Sequence, residues 1–123
     1  MNPSKTGVRR ILDASVNSMR GLKACWVHEA AFRQNFALTM ALFILAFFVA
    51  RSAEQWLLLI LAPSLLLVVE LLNSAIENTV DLFGPERNDY ARRAKDMASA
   101  AVLLCHVLIG ISWLAICWVN YLA

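Results

Sequence analysis

No glycine-rich phosphate loop is written into this chain. It contains neither GxxxxGK[ST] nor GxGxxG, and its four glycines, Gly7, Gly21, Gly84 and Gly110, are scattered. A nucleotide site of the usual soluble kinds is therefore excluded. Three cysteines supply no disulfide framework. Cys105 and Cys117 fall on one predicted helix, roughly 18 Å apart at about 1.5 Å per residue, and cannot pair within it. Net charge is +2, too small to point to nucleic acid as a partner. No short apolar segment with a small-residue cleavage site opens the chain, so no signal peptide is expected. No internal repeat or low-complexity tract is present. Charge of either sign is scarce, 16% of residues against about 25% in soluble domains.

What is abundant is apolar surface, at 60% of residues against roughly 45–50% in soluble domains. It is concentrated in residues 36–50, 55–69 and 97–123, none of which carries a charge. A membrane-crossing helix needs about 20 mostly apolar residues. The third run suffices alone, and the first two must continue past charged positions. One domain, 1–123, is predicted: an all-α membrane protein with spans at about 29–50, 53–83 and 89–121. Ser52 with Gln55 reads as a capping box that starts the second span, and Phe83-Gly84-Pro85 stops it. Pro63 lies inside that helix and is expected to bend it. Asn88 or Asp89 caps the third. Ahead of the spans, Val8, Ile11, Leu12, Met19, Leu22 and Trp26 recur at steps of three and four. A basic amphipathic surface helix over about 6–27 follows. Basic residues gather before the first span and between the second and third. The N-terminus is thus expected in the cytoplasm and the C-terminus outside.

The stretch ELLNSAIENTVD, residues 70–81, follows the greasy run of the second span. At about 100° per residue, Glu70, Ser74, Glu77 and Asp81 share a sector of about 60°, with Asn73 on its edge. A charge at mid-membrane costs roughly 2.5–3.5 kcal/mol, less near the interface, so this stripe faces protein or water. Counting about 20 residues inward from each outer end puts Glu70 roughly 6 Å inside the inner boundary and Glu77 roughly 5 Å beyond it. Glu29 falls level with Glu77, and Lys95 and Asp96 lie further toward the cytoplasm. Helix-packing ion pairs are the bland alternative: Glu29 with Arg33 and Arg92 with Asp96 have i,i+4 spacing. The stripe itself, however, holds no cation. Magnesium prefers carboxylate oxygens and bridges to substrate phosphates, which suits Glu29 and Glu77. Lys95 suits phosphate, and the less hydrated Glu70 suits a general base for an alcohol. The residues alone describe a membrane site for a metal-bound phosphate ligand. His28 and His106 read as polar contacts, the latter to a neighbouring helix. Trp56, Trp113, Trp118 and Tyr121 read as interfacial anchors.

EAAFRQ (29–34), ELLNSAIENTVD (70–81) and RAKDMASAAV (93–102), with the basic N-terminal helix and three spans, resemble the prokaryotic integral-membrane diacylglycerol kinases over nearly the whole chain. That resemblance implies a homotrimeric helical bundle in the bacterial inner membrane, with the C-terminus periplasmic. It implies magnesium-dependent transfer of the ATP γ-phosphate to diacylglycerol, giving phosphatidic acid. It makes Glu70 the catalytic base and Glu29 and Glu77 the metal ligands. Asn73, Lys95, Asp96, Arg10 and Glu86 join Glu29 and Glu77 on the ATP side. Arg10, Ser18, Trp26, Ala31, Gln34, Ser99 and Trp113 join Glu70 on the lipid side. Where related kinases often carry an aromatic, a tryptophan and an acid, this chain has Asn17, Met19 and Asn35. Asn17 cannot stack on adenine, and the other two changes are expected to alter lipid preference. A sister activity is phosphorylation of undecaprenol, another membrane alcohol. The contrasting class is a non-catalytic helix bundle such as a small cation channel, but the apolar outer half of every span offers no continuous polar path.

Overall fold

The structure, a computed structural model, describes residues 6–84 and 88–123. Among these no strand occurs. The described residues form four helices: α1 (Val8–His28), α2 (Ala30–Val49), α3 (Ala53–Asp81) and α4 (Asp89–Cys117), the last continued by a π-helical turn at Trp118–Leu122. α2, α3 and α4 with its extension are long and apolar enough to cross a membrane. α3 is the central element and packs along both α2 and α4. At 29 residues it is about 44 Å long, longer than a hydrocarbon core of about 30 Å.

The helix boundaries follow local chemistry. The Ser52 hydroxyl accepts from Gln55 N at 3.2 Å and starts α3. The reciprocal half of the expected capping box is displaced by one residue, because Gln55 Oε1 accepts from Arg51 N at 2.9 Å. The Gln55 amide also exchanges bonds of 3.0 and 2.9 Å with Asn120, whose Nδ2 donates to Val49 O at 2.8 Å. The C-terminal turn is thereby tied to the α2–α3 connection. At the other end of α3, Gly84 takes a φ of +73°, where a side chain would be strained. Asn88 caps α4 through its side chain, accepting from Tyr90 N at 2.8 Å.

Pro63 sits inside α3 and lacks the N–H that would bond the carbonyl four residues back. That carbonyl, Leu59 O, receives the Trp113 indole N–H of α4 at 3.2 Å instead. The Thr39 hydroxyl of α2 lies 2.8 Å from Asn35 O on its own helix and 3.3 Å from Pro63 O across the contact. Two apolar clusters fill the bundle. One is centred on Ala46, Leu59 and Ile116, the other on Leu66, Cys105 and Ile109, and Trp113 packs against both. Cys25 and Cys105 are buried and Cys117 is half-buried, all as free thiols. His106 does not reach a neighbouring helix as expected. Its Nδ1 lies 3.0 Å from Val102 O of its own helix, the carbonyl one turn back.

Candidate active site

The break between α1 and α2 is a single residue. Glu29 has extended backbone angles (φ −116°, ψ 103°) and flanks both helices. The break is braced from two sides. Arg33 Nη1 reaches back to Trp26 O at 2.6 Å and Val27 O at 3.2 Å, satisfying carbonyls left open at the end of α1. Trp26 meets Phe32 and Phe36 edge-on, with centroids 6.5 and 5.2 Å apart. Arg33 is thus a cap for α1 and not the expected ion-pair partner of Glu29. Arg92 likewise pairs with Asp89 at 3.4 Å and not with Asp96. In both cases a nearer backbone or side-chain acceptor wins over the i,i+4 partner.

With no cation on it, the Glu29 carboxylate turns toward α3. Asn78 Nδ2 approaches Glu29 Oε1 at 3.4 Å and donates to Ser74 O at 2.7 Å. This sets Glu29 beside the turn that carries Glu77, the level that residue counting placed it at. Neither Glu29 nor Glu77 has a lysine or arginine partner among the described residues. No cluster of three or more histidine, cysteine, aspartate or glutamate side chains occurs among them either. Two uncompensated carboxylates are what this chain itself offers a cation. That donor set fits magnesium, which takes one or two carboxylates and fills its other positions with water and phosphate oxygens.

Two turns deeper, Glu70 is 3% exposed. Asn35 of α2 donates from Nδ2 to Glu70 Oε2 at 3.1 Å, and Asn73 is close enough to act on the same carboxylate. A hydrogen bond to a charged group contributes about 1.5–3 kcal/mol, comparable with the cost of a carboxylate at this depth. Between Glu70 and Glu77, Ser74 is buried against Cys25 of α1, Sγ to Oγ 3.7 Å. Burial pushes the Cys25 thiol above its ordinary value, so it stays protonated and serves as a donor. The polar stripe therefore faces α1 and α2 over Glu70 and Ser74 and emerges at Glu77 and Asp81. Asp81 holds Lys95 Nζ of α4 at 3.0 Å.

Asn73 stands between this stripe and an apolar groove of about 460 Å³ between α3 and α4, walled by Leu72, Ile76, Met97 and Ala101. Its Oδ1 is buried with no hydrogen-bond partner. The remaining expected site residues are more dispersed. Arg10, Ser18, Ala31, Gln34, Asp96 and Ser99 are exposed, and the Ser18 hydroxyl bonds Ala14 O of its own helix. Trp26 is partly exposed at the α1–α2 break. Trp113 is occupied by the Leu59 carbonyl. Glu86 lies outside the described residues. Two residues of the site were missed in the sequence, Asn35 as the partner of Glu70 and Asn78 as the partner of Glu29. Asn78 was legible in principle, being one turn from Ser74. Asn35 was not, because only the α2–α3 packing brings it to Glu70.

Comparison with known proteins identifies relatives of the chain. The family profile for prokaryotic diacylglycerol kinase matches residues 16–117. Diacylglycerol kinase of Escherichia coli (strain K12) is 40% identical over 121 residues, 98% of this chain and 99% of that one. The diacylglycerol kinase of Helicobacter pylori (strain 26695) is 42% identical over 120 residues, 98% and 90% of the two chains. That of Pseudomonas aeruginosa is 42% identical over 120 residues, 94% and 98%.

Proposed function

The chain belongs to the prokaryotic diacylglycerol kinase family, and from that premise we propose that it is a lipid kinase transferring the γ-phosphate of ATP to diacylglycerol at the membrane surface. The observation that carries the mechanism is the buried Glu70 carboxylate, positioned two turns below a pair of unpaired acids. Glu70 takes the proton from the lipid hydroxyl. The freed oxygen forms a bond to the γ-phosphorus as the bond from phosphorus to the bridging oxygen breaks, and ADP departs. The product is phosphatidic acid. Glu29 and Glu77 would hold magnesium, which when bound offsets charge on the transferring phosphoryl group. Lys95 donates to phosphate oxygens from the cytoplasmic end of α4. Asn73, Asp96, Arg10 and Glu86 complete the nucleotide side. Ser18, Trp26, Ala31, Gln34, Ser99 and Trp113 line the approach of the lipid.

The surrounding architecture is part of the same reading. The apolar stripe of α1 is exposed in the single chain at Val8, Ile11, Leu12 and Met19, which supports a helix lying on the inner surface of a bacterial inner membrane. The basic residues around α1 and at the start of α4 support cytoplasmic placement of that end, with the C-terminus periplasmic. The working assembly is a homotrimer. The test is a transfer assay with purified protein, radiolabelled ATP and magnesium, offering diacylglycerol and undecaprenol separately. Labelled phosphatidic acid from diacylglycerol is expected. Label on undecaprenol alone assigns the sister activity, and no labelled lipid overturns the kinase reading.

A further inference from the structure

We propose that Asn35 is the positioning residue for the Glu70 carboxylate. This rests on Glu70 being the base in the proposed reaction. The Asn35 amide donates to Oε2 at 3.1 Å from the neighbouring helix, which fixes how the carboxylate is turned. The amide is itself held in place. Its backbone carbonyl receives the Thr39 hydroxyl, and the same hydroxyl reaches Pro63 O on α3. Asn35 is therefore locked to the helix that carries Glu70, two turns away from it. The residue type matters as much as the position. The groups acting on Glu70 from around it are Asn35, Asn73, Glu77 and His106, with Cys25 from α1. None is a lysine or arginine. A fixed cation would orient the carboxylate but would also hold it in its charged form and weaken it as a proton acceptor. A neutral amide orients it with a weaker pull toward the charged form than a full positive charge exerts. A donor that aligns a reacting group works through geometry, and misplacement by about 1 Å costs up to about a hundredfold in rate.

The test compares Asn35→Ala, Asn35→Leu and Asn35→Gln with Glu70→Gln, in detergent micelles with diacylglycerol, reading kcat, the KM for magnesium-ATP and thermal unfolding for each. Asn35→Ala removes the donor and puts no new polar group beside Glu70. It is expected to lower kcat at least about tenfold, with the magnesium-ATP KM within about twofold of the parent. Asn35→Leu behaves alike, and Asn35→Gln retains more activity than either because it keeps the donor. Wild-type kcat in Asn35→Ala beside an inactive Glu70→Gln overturns the positioning role and leaves the base intact. A loss shared equally by all three variants, with lowered unfolding temperature, also overturns it, since that is the behaviour of a packing residue. Full turnover in Glu70→Gln removes the base itself, a failure of the underlying reading that the Asn35 variants cannot imitate.

Discussion

Glu70 and Glu77 are chemically identical and seven residues apart, yet their surroundings differ, and the proposed reaction gives them different work. Glu70 is enclosed and held by an amide; Glu77 is half-buried at the end of the stripe. Glu70→Gln preserves size, keeps one acceptor oxygen for Asn35 and removes the proton acceptor. Turnover is expected to fall at least about a hundredfold, the usual contribution of general base catalysis, with magnesium-ATP affinity and assembly kept. Steady-state kinetics alongside nucleotide binding checks this. Glu77→Ala leaves Glu29 as the one acid of its pair. The expected outcome is a raised KM for magnesium-ATP and a steeper dependence on magnesium concentration, read by titrating magnesium at fixed ATP. Unchanged metal dependence contradicts the role. The stripe could be drawn from spacing alone because helical phase is local. Which neighbour each acid meets could not, as Arg33 shows by serving the end of α1 in place of Glu29.

α3 carries a defect and its repair. Pro63 removes one backbone donor, and Trp113 of α4 supplies the substitute to Leu59 O. Trp113→Phe keeps most of the packing and leaves the carbonyl without its partner. A loss of about 1 kcal/mol is expected, since hydrogen bonds between membrane helices average about 0.6 kcal/mol with a maximum near 1.7. In a Pro63→Ala background the helix provides its own N–H, so Trp113→Phe should then cost measurably less. A double-mutant cycle on unfolding in detergent reads the difference, and equal costs in both backgrounds would disprove the repair. The proline was plain in the sequence as an interruption. The repair joins residues 54 positions apart, and the tryptophan read equally well as an interfacial anchor.

At the scale of the molecule, the single chain leaves much apolar surface open, including Phe48 at 78% and Leu114 at 74% exposure. Lipid covers part of such a surface. In the proposed homotrimer, neighbouring copies cover the rest. Light scattering of the purified protein in detergent, corrected for bound detergent, is expected to give a polypeptide mass three times the 13.7 kDa of the chain. A monomeric mass with full activity would dispense with the assembly. The polar tie of Gln55, Asn120 and Val49 O stands at the end of the bundle opposite the acids. Asn120→Leu is therefore expected to lower unfolding temperature while leaving kcat unchanged, checked by thermal unfolding and the lipid assay on the same preparation.

Sequence by itself determined the three apolar helices, the capping residues that start and stop them, and the side of α3 on which the acids lie. All of these follow from composition and from the 3.6-residue period, which act within one segment. Tertiary structure decided the partners: Asn35 on Glu70, Asn78 beside Glu29, Asp81 on Lys95 and Trp113 on the proline's vacant carbonyl. Each of these pairings depends on how neighbouring helices are rotated and slid against each other. That arrangement is set by the fit of many side chains at once, so no local pattern in the chain encodes it.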